Sequence, residues 1–132
     1  MITISVNTSQ REQLVDITAA VRDAVAELDC KSGICHVHTA HTTAGLTINE
    51  NADPDVVRDI LLSLDTIVQD LRGFRHAEGN STAHVKSSLT GNSVTVPVEN
   101  GCLVLGTWQG IYFCEFDGPR SRRAWVTCTP GL

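Results

Sequence analysis

SVTVPVENGCLVLGTWQGIYFCEFDGPRSRRAWVTCTP, residues 93–130, decides the fold class. Four runs in it read as strands: Ser93 to Val98, Gly101 to Thr107, Ile111 to Phe116 and Ala124 to Thr129, separated by Gly, Asn and Pro turns. Parallel neighbours need a crossover of about a dozen residues or more, and these connections are shorter. The strands are therefore expected to pair antiparallel.

Working outward, Ala44 to Ile48 and Ile34 to Thr39 are β-branched and strand-like, and MITISVN alternates apolar and polar residues as a strand does. A further extended piece is expected over Glu12 to Ile17. Ile17, Val21, Ala24, Val25 and Leu28 then recur at helical spacing, giving a helix that ends near Cys30 and Gly33. A second helix starts at Asp53 as N-cap, with Pro54 at its first position, where the missing N–H costs nothing. Its stripe runs through Val56, Val57, Ile60, Leu61, Leu64, Ile67, Val68 and Leu71, and Gly73 is expected to end it. Asn80 is placed to cap a short third helix over about Ser81 to Leu89, stopped by Gly91. The expected class is α+β: mainly antiparallel sheets packed with two or three helices, in one domain over 1–132.

Bulk properties narrow the function classes. A chain of 132 residues buries a real core, and 42% hydrophobic with 19% charged residues is ordinary for a soluble protein. A formal charge of −5 argues against a nucleic-acid partner, since such surfaces are usually basic. The first residues lack the basic and apolar regions of a signal peptide, and no apolar run reaches the ~20 residues that span a bilayer. No membrane association and a cytoplasmic address are expected. The five cysteines form no CxxC pair, and several lie in strand-like runs, so they are read as reduced, buried thiols.

Three polar stretches resist a packing explanation. GFRHAEGNSTAHVKSS, residues 73–88, brackets Glu78 and Asn80 with His76 and His84. On the third helix His84, Ser87 and Ser88 share a face, and its free first-turn N–H groups suit an anion. HTTAGLTINENADP, residues 41–54, sets His41, Thr42 and Thr43 before a strand and Asn49, Glu50 and Asp53 after it. Asp53 is explained by its cap, whereas Glu50 is either a ligand or general base or a charge in an exposed turn. In the third stretch, residues 105–123, Trp108, Tyr112 and Phe113 read as packing, and Gln109, Glu115 and Arg120 do not. Arg120 either clamps a phosphate or carboxylate or pairs with Glu115 or Asp117. His36 and His38 share a strand face with Ile34 and rank below His41, His76 and His84. Phosphate-loop, dinucleotide and serine-hydrolase signatures are absent from the sequence.

HTTAGLTINENADPDV, HAEGNSTAHVKSSLTG and LGTWQGIYFCEFDGPRSRR together resemble the signature blocks of the YjbQ family, known as secondary thiamine-phosphate synthase-like proteins. The resemblance runs over nearly the whole chain. It implies an α+β fold, a homotrimer, and an enzyme acting on a small anionic or phosphorylated molecule. The matching positions are His41, Thr42, Thr43, Asn49, Glu50 and Asp53, then His76, Glu78, Asn80, His84, Lys86 and Ser87, and finally Gln109, Glu115 and Arg120. On this reading His41, His76 and His84 hold a divalent metal, zinc before magnesium, because imidazole suits the softer ion. Glu50, Glu78 or His84 supplies the acid–base step. Thr42, Thr43, Asn49, Asn80, Lys86, Ser87, Gln109 and Arg120 hold the substrate. Hydrolysis by a metal-bound water and a non-catalytic trimer that binds metal or metabolite are the alternatives.

Overall fold

The computed structural model describes residues 1–131. Eight strands and three helices follow one another as β1 (Ile2–Asn7), β2 (Gln13–Asp16), α1 (Thr18–Glu27), β3 (Gly33–His38), β4 (Ala44–Glu50), α2 (Pro54–Ile67), α3 (Ser81–Thr90), β5 (Ser93–Glu99), β6 (Cys102–Leu103), β7 (Gln109–Glu115) and β8 (Ser121–Pro130). The strands form a five-stranded sheet, β1-β8-β3-β5-β6, and a three-stranded sheet, β2-β7-β4. Every pairing is antiparallel, as the short connections require. The expected α+β class is the observed one.

Side chains alternate across a strand, and this sets the layers. Ile4 and Val6 of β1, Cys35 and Val37 of β3, Val96 and Val98 of β5, and Ala124 and Val126 of β8 point into one core. Leu46, Ile111 and Phe113 meet them from the smaller sheet, and Val21, Ala24 and Val25 of α1 complete it. On the other face of the smaller sheet, Cys114 joins Phe116 and Ala83 of α3, with Leu61 and Leu64 of α2 packed on them. β7 is therefore covered on both faces and buried from Gly110 to Glu115.

Five expectations change. The strand expected over Gly101 to Thr107 shrinks to Cys102–Leu103. Val104 donates its N–H to the Pro97 carbonyl at 2.8 Å, but Pro97 has no N–H to return, so the ladder stops there. α2 begins as expected, with the Asp53 carboxylate accepting from the Asp55 N–H at 2.9 Å, but it ends at Ile67 rather than Gly73. Val68 leaves the helix in an extended conformation and is buried. No residue of α2 is fully buried, so its apolar stripe is only half covered. Asn80 precedes α3, but its side chain makes no capping hydrogen bond. Of the cysteines, all free, Cys30, Cys35 and Cys114 are buried, while Cys102 is exposed and Cys128 half-buried. Tyr112 and Phe113 pack as expected, but Trp108 is 62% exposed. Among the described residues no helix is long and apolar enough to cross a membrane.

Candidate functional site

Strand parity carries Arg122 of β8 inward in line with Ala124 and Val126, and Glu115 of β7 in line with Phe113 and Ile111. The two meet where the core ends, one from each sheet. Arg122 is 4% exposed and Glu115 0%. Arg122 Nε donates to Glu115 Oε1 at 2.9 Å, and Nη2 donates to Glu115 Oε2 and, at 2.9 Å, to Thr43 Oγ1. Thr8 Oγ1 donates to Glu115 Oε1 at 2.7 Å, and the Asp117 N–H to Oε2 at 3.0 Å. A buried carboxylate this well paired stays ionised: burial alone would raise its pKa, but Arg122, Thr8 and the Asp117 N–H bring it below the usual range. Arg122 Nη1 takes no part in these bonds.

Above this floor lies a cleft of about 390 Å³ lined by Ala40, His41, Thr42, Thr43, His76, Glu78, Asn80, His84, Asp117, Arg120 and Arg122. It continues past His41, Thr42 and His84 into a depression lined by Ser87, Ser88, Gly91 and Asn92. α3 supplies His84, and the loop before it supplies His76 and Glu78. The rings of His76 and His84 stand perpendicular with centroids 5.2 Å apart. The segment between β3 and β4 supplies His41, Thr42 and Thr43, and the turn before β8 supplies Asp117 and Arg120.

Asn80 and Arg120 converge on Asp117. Asn80 Nδ2 donates to Asp117 Oδ2 at 2.8 Å, while its Oδ1, the atom a cap would use, is buried with no partner among the described residues. Arg120 Nε donates to the Asp117 carbonyl at 2.8 Å and Nη2 to Oδ2 at 3.0 Å. Burial opposes the charge on Asp117, yet these two donors hold its carboxyl below the ordinary value. The intrachain pair with Asp117, one of the two roles read for Arg120, is thus present, and the guanidinium still faces the cleft.

His41, Thr42, Thr43, His76, Glu78, Asn80, His84 and Arg120 are thus brought together; Thr43 is buried and spent on Arg122. Ser87 sits in the adjoining depression with its hydroxyl donating to the Ala44 carbonyl at 2.6 Å. Lys86 lies elsewhere: two positions from His84 on α3 it turns away and is 2% exposed. Its Nζ donates to Glu12 Oε1 at 2.7 Å and to Asp65. Asn49 and Glu50 stand at the far end of β4, about 20 Å from its start at ~3.3 Å per residue. Gln109 begins β7, where its side chain accepts from the Gly106 N–H at 2.8 Å. His38 stacks on Trp125 on the outer face of the large sheet, centroids 5.9 Å apart. The expected site missed Arg122 and Asp117. The inward parity of Arg122, two residues from Ala124 and four from Val126, was the available signal.

The expected three-histidine metal centre is corrected by this geometry. Among the described residues no three His, Cys, Asp or Glu side chains are gathered to hold a metal ion. His41 Nε2 accepts the Arg123 N–H at 3.0 Å, which uses that nitrogen's lone pair.

Fold and site together define a small two-sheet α+β protein with a polar cleft of histidines and arginines at the open end of its core. The chain belongs to the YjbQ-like UPF0047 family, whose model matches residues 2–131. It is 50% identical over 125 residues to the UPF0047 protein YugU of Bacillus subtilis, covering 94% of this chain and 95% of that one. A UPF0047 protein of Methanocaldococcus jannaschii is 51% identical over 121 residues, 92% of this chain and 88% of the relative. The crystal structure of an uncharacterized family member from Clostridium acetobutylicum superposes with a TM-score of 0.94 at 53% identity, covering 98% and 100% of the two chains. A YbjQ-like protein of unknown function from Sulfolobus solfataricus gives 0.90 at 37% identity, covering 95% and 92%. These relatives bear a family designation, and one is described as of unknown function. The expectation of a thiamine-phosphate synthase-like enzyme, with its metal-dependent alternatives, is withdrawn: the relatives' designations name no such activity, and among the described residues the donors are not gathered for a metal.

Proposed function

We propose that the cleft binds a small anionic molecule through a carboxylate or phosphate oxygen, with His76 and His84 exchanging a proton with it. The observation that carries this reading is Arg122. Its guanidinium is almost wholly buried and fixed along one edge by Glu115 and Thr43, while Nη1 is uncommitted at a cleft it lines. Nη1, held in place by the rest of the guanidinium, is a preorganised charged donor of the kind that oxyanions accept from. Glu115 and Asp117 cancel the formal charge of Arg122 and Arg120, so affinity rests on directed donors more than on a long-range field. A neutral imidazole pairs one donor with one acceptor, and two perpendicular rings at 5.2 Å suit passing a proton to or from a bound ligand.

Calorimetric titration with inorganic phosphate and with acetate tests this. Wild type is expected to bind at least one of them, and Arg120→Ala to bind about tenfold more weakly, the worth of one charged hydrogen bond. His84→Asn is expected to change the number of protons taken up on binding. No binding by wild type, affinity indifferent to Arg120, or a preference for Zn²⁺ alone would remove the reading.

We also propose that the chain assembles as a homotrimer. The resemblance supplies the number three; support for assembly comes from α2, whose apolar residues are nowhere fully buried, with Leu62 56% and Ile67 70% exposed.

A further inference from the structure

The end of β3 shows how His41 is used. In the antiparallel register of β3 with β8, residue pairs sum to 163, as Ile34 with Thr129 and His38 with Trp125, so Arg123 falls opposite residue 40, beyond the last strand pair. There two side chains replace the missing strand. Thr39 Oγ1 donates to the Arg123 carbonyl at 2.8 Å, and His41 Nε2 accepts from the Arg123 N–H at 3.0 Å. Backbone N–H has no alternative protonation state, so Nε2 must be the bare nitrogen. A neutral imidazole has one donor and one acceptor, and its proton must then sit on Nδ1. Nδ1 makes no hydrogen bond within the described residues and is not a buried orphan, and the ring lines both halves of the cleft. Phe113 meets the ring edge-on, with centroids 6.4 Å apart.

We infer that His41 is a fixed-tautomer hydrogen-bond donor whose Nδ1–H selects an acceptor oxygen of the ligand, such as a carbonyl, carboxylate or phosphoryl oxygen, and disfavours a cation or hydroxyl proton at that point. The inference rests on the oxyanion reading above and separates the histidines by role: His41 positions, His76 and His84 remain for the proton. The charged groups around the ring agree with it. Burial opposes a second proton, as do Arg122, Arg123 and Arg120, and Glu115, already committed to Arg122, counteracts them only in part.

The test is the ¹⁵N spectrum of the imidazole nitrogens in the full chain, with His41→Asn assigning the signals. At pH 7 the expected result is a proton-bearing Nδ1 and a bare Nε2 at His41. A proton on Nε2, or on both nitrogens, overturns the inference. Arg123→Ala should leave the pattern unchanged, because the backbone supplies the fixing donor; a tautomer that shifts in this variant would place control in the guanidinium and overturn the argument. Millimolar inorganic phosphate should then move the Nδ1 proton signal. Calorimetric binding of phosphate without that movement overturns the ligand contact while leaving the oxyanion reading. No binding of either phosphate or acetate, with the tautomer as expected, overturns the oxyanion reading and the ligand contact but not the proton's place.

Discussion

Arg122 and Glu115 close the end of an apolar core with a charge pair, and each makes the other tolerable there. Taking one charge away leaves the other buried and uncompensated, which costs more than the pair itself contributes. Glu115→Gln keeps the shape and removes the charge, and it should lower stability by about 3–5 kcal/mol, seen as a lower urea midpoint with the slope unchanged. Replacing both, as Glu115→Leu with Arg122→Met, should recover much of that loss. A single-variant loss below about 1 kcal/mol would mean that water reaches the pair. Strand parity could have turned Arg122 inward, but its partner was not legible: Glu115 lies on another sheet, and pairing between sheets leaves no local spacing to read. The histidines and Asn80 were legible because each sits in a short polar run, but which run faces which was not. Glu50 and Lys86 show the limit. One strand length removes the first from the cleft, and a two-residue helical step turns the second to the opposite side.

α3 reaches the site because it lies close on β4, and Gly45 permits that approach. A Cβ there would come within 2.2 Å of Thr90 Oγ1 and 2.7 Å of the Gly91 carbonyl, which accepts the Leu46 N–H at 3.0 Å. Gly45→Ala should therefore push α3 outward and cost about 1–3 kcal/mol, with a matching fall in melting temperature. Thr90→Ala in the same chain should return part of it, whereas no change in melting temperature would show that the helix seats loosely. The ion pair of Lys86 with Asp65 ties α3 to α2, and its pair with Glu12 ties α3 to the residue before β2. Burial would lower the Lys86 pKa, but the two carboxylates raise it, and its ammonium in turn holds Asp65 below its ordinary value of 3.8. A carboxyl depressed by folding adds stability that is full above the unfolded value and lost as pH falls through the folded one. Amide exchange in α2 should thus quicken relative to β7 below about pH 4, and Asp65→Asn should show the quickened rate already at pH 7. The start of α2 was readable from Asp53 and Pro54, a local signature. Its end was not, because Val68 leaves the helix to be buried.

Across the whole molecule, the short links among the late strands were enough to specify antiparallel sheets, while the division into two sheets was not. Nothing in the order of the strands says that β8 returns between β1 and β3 or that β2 joins β7 and β4. The layers that result leave one imbalance. α1 buries one face, Val21, Ala24 and Val25, in the main core, whereas α2 touches the second cluster through Leu61 and Leu64 and turns Leu62 and Ile67 to water, with Leu71 exposed just beyond it. Apolar side chains at ~1.5–3 kcal/mol each for full burial give such a face a reason to find a partner, and copies of the chain are the partner always present at matching concentration. Light scattering should return three times the 14.2 kDa chain mass. Ile67→Glu should return a single chain with its far-UV circular dichroism unchanged, since Ile67 is already 70% exposed and the substitution removes little internal packing. A wild-type mass of one chain at every concentration would end the trimer proposal; a trimer indifferent to Ile67→Glu would move the interface off that residue. Phosphate affinity measured on the dispersed variant then decides whether the cleft is complete within one chain. Retained affinity would make Arg122, Arg120 and His41 sufficient, and lost affinity would mean that a neighbouring copy supplies part of the site.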